Sequence, residues 1–150
     1  MDLILWRHAE AEDGFPDEAR KLTAKGEKQA ALVAQWLKAR LPKDFVVLAS
    51  PTQRTRQTAG KLAKKFETSG AVGPGASAGS VLDAAGWPDG DGTVVVVGHQ
   101  PTFGQVAARL LAGEEGNWSV KKGGIWWFSN RARQDEAQIV LRAVMSPELL

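Results

Sequence analysis

The sequence contains no cysteine and only two histidines in 150 residues. Without thiols there is no disulfide framework, no thiolate nucleophile and no cysteine-ligated metal centre. Oxygen groups and two imidazoles are all that remain for such work. Long hydrophobic runs are missing as well. The longest β-branched run is Val94 to Val97, far short of the roughly 20 residues a membrane helix needs. The N-terminus lacks the basic-then-apolar form of a secretion signal, so a cytoplasmic location is expected. A strong excess of one charge is also absent. Nineteen Lys and Arg oppose seventeen Asp and Glu for a net charge of +2, too little for a nucleic-acid binder, and aromatic residues do not interleave with basic ones. Neither nucleic acid nor membrane is expected as a partner.

What is present suits a folded domain. The chain is 43% hydrophobic and 24% charged, ordinary values for a globular protein. Its length predicts a single domain over 1–150 that buries roughly two thirds of its unfolded surface. The 16 glycines imply many turns.

Apolar runs alternate with amphipathic stretches, the pattern of βα units around a mostly parallel sheet. Asp2 to Trp6 reads as the first strand. Thr23 is a helix N-cap, and Ala30, Val33, Ala34, Leu37 and Leu41 follow the spacing of one buried helical face until Pro42 ends it. Phe45 to Ala49 is a second strand, after which Ser50-Pro51 opens a helix predicted to reach about Lys65. "TSGAVGPGASAGS", from Thr68 to Ser80, reads as a surface loop with at most one short strand, followed by a short helix over Ser80 to Ala85. Thr93 to Val97 belongs at the sheet centre, and a helix over Thr102 to Leu111 follows. "WSVKKGGIWWFSN" and "AQIVLRAVM", joined by a polar turn, form an antiparallel hairpin at one edge. The predicted architecture is a three-layer α/β/α sandwich with a mostly parallel sheet and an antiparallel edge.

Three of the strand ends carry polar residues of one chemical kind. Arg7 and His8 follow the first strand, Ser50-Pro51-Thr52-Gln53-Arg54 the second, and Gly98-His99-Gln100-Pro101 the central one. The carboxyl ends of parallel strands share one edge, where ligand crevices form, so His8, His99, Arg7 and Arg54 should meet. Helix N-termini and guanidinium groups together make an anion site, above all for phosphate. Two imidazoles add a nucleophile that can attack phosphorus and a donor that can serve its oxygens. A two-histidine metal site is the competing reading, but no third ligand has convincing spacing and arginines would repel the cation.

These segments, "LILWRHAEAE", "LASPTQRTRQTA" and "VVVVGHQP", resemble the histidine phosphatase superfamily, the phosphoglycerate mutase-like fold. The short length and the run "RKLTAKGEKQA" are similar to its small SixA-type phosphohistidine phosphatases. The resemblance implies that His8 is the nucleophile, Arg7 and Arg54 phosphate ligands, and His99 the second imidazole. Arg20 would close the pocket, its alternative being a surface charge paired with Asp17 or Glu18. Neither metal nor cofactor is implied.

Two departures from the family pattern stand out. Ala9 replaces the glycine that usually follows the histidine, and no carboxylate clearly matches the acid that larger members use on alcohol leaving groups. The candidates are Glu10, Glu12, Asp13 and Asp83, with Glu12 and Asp83 the possible general acids. A missing acid favours a phosphoramidate such as phosphohistidine, which can be protonated on its own nitrogen. The expected substrate is phosphohistidine on a protein, a phosphocarrier or a histidine phosphotransfer domain, turned over by a monomer. The alternatives are a phosphomonoesterase acting on a small molecule and a catalytically silent module that binds phosphoproteins. Of the six tryptophans, Trp126 and Trp127 should face opposite sides of the sheet, and Trp87 either packs in the core or lines the pocket mouth.

Overall fold

Leu3, Ile4, Leu5 and Trp6 are all completely buried. Their side chains alternate between the two faces of strand β1 (Asp2–Arg7), so both faces must be covered, as in a parallel sheet packed between helices. The computed structural model describes residues 1–133 and 136–150 and shows that arrangement. β2 (Phe45–Ala49), β3 (Glu67–Thr68) and β4 (Thr93–Gly98) run parallel with β1, and β5 (Ile125–Arg133) and β6 (Glu136–Met145) add an antiparallel hairpin. The strand order is β3-β2-β4-β1-β5-β6. The polar turn expected over residues 131–136 is shorter than the sequence reading has it, since β5 continues to Arg133 and β6 begins at Glu136; Gln134 and Asp135 lie outside the described residues.

Helices α1 (Ala24–Lys38) and α2 (Gln53–Gly60) cover one face, where Ala30, Val33, Ala34, Leu37 and Ala59 pack on Ile4, Trp6, Val95 and Val97. Helices α3 (Ala78–Ala85) and α4 (Thr102–Ala112) cover the other, where Val81, Leu82, Phe103 and Val106 pack on Leu3, Leu5, Val96 and Phe128. The result is the expected α/β/α sandwich. Thr23 caps α1 as predicted, its side chain accepting from the Gly26 N–H at 3.0 Å.

Several boundaries differ from the sequence reading. Helix α2 ends at Gly60 instead of near Lys65, and α1 ends at Lys38, before Leu41. Helix α3 starts two residues earlier than Ser80, capped by Ser77. Residues 118–124 are not strand, because Lys121 to Gly124 form a turn, closed by Gly124 N–H donating to the Lys121 carbonyl, before β5 begins. Trp87 is buried with the α3 and α4 cluster and does not line the pocket mouth. Trp127 and Trp126 do fall on opposite faces, one with each cluster.

Candidate active site

The carboxyl ends of β1, β2 and β4 converge because the three strands are neighbours in register: Arg7 pairs with Gly98, and Ala49 with Val97. His8 is fixed from both sides at this edge. Its N–H donates to the Gly98 carbonyl at 3.0 Å, and its carbonyl accepts from the Gly123 N–H at 3.1 Å. His8 and His99 are both nearly buried, their ring centroids 5.4 Å apart.

Each ring is oriented by a distinct partner. His8 Nδ1 donates to the Ala9 carbonyl at 2.7 Å. A carbonyl can only accept, so the proton sits on Nδ1 and the neutral ring carries its lone pair on Nε2. His99 Nε2 shares a hydrogen bond of 2.8 Å with Ser50 Oγ, itself fully buried. Burial is the main cause that pushes His8 down to about 4, opposed by the Ala9 hydrogen bond and reinforced by the cations of Arg54, Arg7 and Arg20. His99 is pushed down to about 3, by burial first and then by His8 and Arg54, against the pull of Asp17. Both imidazoles are therefore neutral at pH 7.

Three guanidinium groups surround them. Arg7 donates from Nη1 to the Val120 carbonyl at 2.8 Å, and Arg54, with a side chain only 5% exposed, lies along the start of α2. The Nε atoms of both arginines are buried without a partner among the described residues. Unmet buried donors on a cation are costly, and both of these Nε atoms are closed off from solvent. Burial lowers Arg7 from its ordinary range, but a guanidinium starts so high that it stays charged.

Asp17, which the sequence reading mentions only as a surface partner, organises the other side. Its carboxylate accepts from Arg54 Nη2 at 3.0 Å and from Arg20 Nη1 at 3.1 Å, while its carbonyl accepts from Arg54 Nη1 at 2.8 Å. Arg20 and Arg54 are thus joined through one acid. The hydrogen bonds from Arg20 and Arg54 hold the Asp17 carboxyl below the usual range, so it stays ionised. The sequence reading places Ser50 in the polar segment after β2 but does not pair it with His99. The signal that could have exposed both is weak, since Ser50 meets a residue 49 positions away and Asp17 one 37 positions away.

Among the described residues, the side chains of the proposed acids make no hydrogen bond to His8, His99 or the three arginines. Glu12 contributes its carbonyl, which accepts from Arg20 Nε at 2.7 Å, and its exposed side chain makes no hydrogen bond among the described residues. Asp83 is on the exposed side of α3, also without a side-chain partner there. Glu10 accepts from Thr23 Oγ1 at 2.8 Å at the start of α1, and Asp13 is exposed on the loop.

Ala9 fits without distortion. Its methyl is fully buried, and its N–H donates to Thr58 Oγ1 at 3.2 Å. Gly123 lies close by; its φ of +72° suits glycine, and an added Cβ there would crowd Pro147 at 3.0 Å while standing at ordinary contact, 3.7 Å, from Ala9. Among the described residues, no three His, Asp or Glu side chains gather as a metal-binding group. Among the described residues no helix is long and apolar enough to cross a membrane.

Comparison with known proteins agrees with this geometry. Residues 3–73 match the model of the histidine phosphatase superfamily (branch 1). The chain is 34% identical to a phosphohistidine phosphatase SixA homolog of Haemophilus influenzae, over 73% of this chain and 77% of that one. It is 31% identical to phosphohistidine phosphatase SixA of Escherichia coli, over 76% of each. The solved structure of the protein histidine phosphatase SixA with tungstate superimposes with a TM-score of 0.84 over 99% of both chains, at 26% identity. The motifs, the strand-edge placement of both histidines and these relatives agree: the chain belongs to the histidine phosphatase superfamily.

Proposed function

We propose that this protein hydrolyses phosphohistidine on a protein, with His8 as nucleophile and without a metal ion. The observation that carries this reading is the His8 ring: neutral, with Nδ1–H committed to the Ala9 carbonyl and the lone pair on Nε2, among three arginines. In the first step Nε2 attacks phosphorus. The Nε2–P bond forms as the P–N bond to the substrate breaks, and the departing imidazole keeps or takes up a proton. In the second step water attacks phosphorus, the Nε2–P bond breaks, and phosphate leaves with His8 restored. Arg7 and Arg54 supply the positive charge that holds the phosphoryl oxygens beside His8, Arg20 closes the site from the loop, and His99 donates to an oxygen from a ring held by Ser50.

The substrate class follows from the acids. Asp17, whose carboxylate lies between Arg20 and Arg54, is held ionised and has no proton to give. An alkoxide would leave poorly here, whereas the nitrogen of a phosphoramidate accepts its own proton. A phosphocarrier or a histidine phosphotransfer domain would supply such a group to a monomeric cytoplasmic enzyme.

Rapid quench with a 32P-labelled phosphohistidine protein tests the mechanism. An acid-labile phosphoryl group on the enzyme is expected, absent in His8→Ala, with turnover unaffected by EDTA. Labelling of another residue overturns the assignment of His8, and reversible loss with EDTA overturns the metal-free reading. Phosphate binding with no labelling points to the silent binding module. Faster turnover of phosphate esters, slowed by Glu12→Gln or Asp83→Asn, points to the phosphomonoesterase.

A further inference from the structure

The loop between β1 and α1 displays a side chain that the chemistry at His8 does not use. Phe15 is 98% exposed, yet the loop that carries it is tied down at several points. The Glu12 N–H donates to the Lys21 carbonyl at 2.8 Å, and Arg20 Nε returns to the Glu12 carbonyl at 2.7 Å. Ala11 bridges Leu22 in antiparallel fashion, and Arg54 grips Asp17 by both carbonyl and carboxylate. Phe15 is two residues from Asp17, so its Cα lies within about 7 Å of the Asp17 Cα. An apolar ring therefore stands in water at the rim of the phosphoryl site, on a loop anchored to one of the site's own arginines.

Acids outnumber bases around it. Glu12, Asp13, Asp17 and Glu18 are exposed on the same loop, against the exposed Lys21 and the half-buried Arg20 that pairs with Asp17. Single exposed apolar residues are common and by themselves mean nothing. Here full exposure, a fixed loop, an excess of acids over bases and adjacency to the site coincide. Large aromatic anchors dominate the energetics of protein interfaces, and a charged rim steers the encounter.

We infer that the loop Glu12–Lys21 is the docking element for the protein substrate, with Phe15 as its anchor. The partner presents an apolar recess bordered by Lys or Arg beside its phosphorylated histidine. The inference rests on the reading of the substrate as a phosphoprotein.

Steady-state kinetics of wild type and Phe15→Ala on two substrates test it. One is a histidine phosphotransfer domain carrying phosphohistidine; the other is phosphoramidate, which reaches the site without covering the loop. Phe15→Ala should lower kcat/KM on the phosphoprotein about ten-fold or more, through KM, and leave phosphoramidate hydrolysis unchanged. Asp13→Lys should slow the phosphoprotein reaction at low salt and lose that effect at high salt. Equal phosphoprotein kinetics for wild type and Phe15→Ala overturn the inference. So does an equal loss on both substrates, which would make Phe15 a support of the site itself. Wild type that consumes phosphoramidate but not the phosphoprotein overturns the protein-substrate reading and this inference with it; wild type inert toward both overturns the phosphatase reading.

Discussion

Arg54 joins an acid to the two histidines. Nη1 and Nη2 hold the Asp17 carbonyl and carboxylate at 2.8 and 3.0 Å, and the same cation disfavours a charge on His8 and His99. Lysine has a single nitrogen and cannot span that geometry. Arg54→Lys should therefore lose about as much kcat/KM as Arg54→Ala, on the order of a hundred-fold or more for a preorganised oxyanion donor. Kinetics on a phosphohistidine protein, with circular dichroism to confirm folding, check this; a lysine variant near wild-type activity would show that charge alone suffices at this position. At the residue scale the sequence was informative where a strand end dictated location, as for Arg7, His8 and His99. It named Asp17 as a partner of Arg20 but not of Arg54, because a loop residue's partners depend on how the loop closes. Ala9 illustrates the same limit: its methyl is buried in a cluster whose members the sequence does not place beside it.

The elements show why the edge of the sheet is so closely defined. Gly98 ends β4 immediately before His99, and a Cβ there would stand 2.7 Å from the Phe103 ring at the start of α4. The tight packing of Phe103 on this strand end fixes how His99 leaves the sheet. Gly98→Ala should destabilise the fold by about 1–3 kcal/mol through overpacking, and Phe103→Leu in the same chain should recover part of the loss. Denaturant unfolding of the single and double variants gives the measure; additive losses would disprove the steric coupling. Periodicity made β1, β2, β4, α1 and α4 readable, since each carries a clear apolar pattern. Helix α2 was overextended because its apolar signal is thin. Its readable feature is polar: Arg54, Gln57 and Thr58, spaced i, i+3, i+4, share a face, and they contact Asp17, the Leu22 N–H and the Ala9 N–H. Residues 118–124, by contrast, contain strand-like residues but end in two glycines whose turn accepts the β1 end, with Gly124 O receiving the Arg7 N–H at 3.0 Å.

For the whole molecule, building a site from buried neutral histidines ties function to stability. His8 is pushed down to about 4 and His99 to about 3, mainly by burial, whereas an unfolded imidazole titrates near 6.5. Between those values the unfolded chain binds more protons than the native one, so stability rises with pH across the interval. The contribution is complete above about 6.5 and lost as pH falls toward 4. Asp17, held below the ordinary carboxylate range by Arg20 and Arg54, acts in the same direction at still lower pH. For His8 alone the full effect is on the order of a few kcal/mol. Replacing that imidazole with a group that cannot titrate should flatten the curve. His8→Gln should show a shallower dependence of unfolding free energy on pH between about 4 and 6.5 than wild type, whatever its absolute stability. The Cε1–H resonance of His8 in wild type should likewise stay at its neutral position at pH 5, where an ordinary imidazole is mostly protonated. Parallel stability curves for the two proteins, or a His8 resonance titrating near 6.5, would mean that the ring is far better solvated than its burial implies, and that the nucleophile is not kept neutral by the fold.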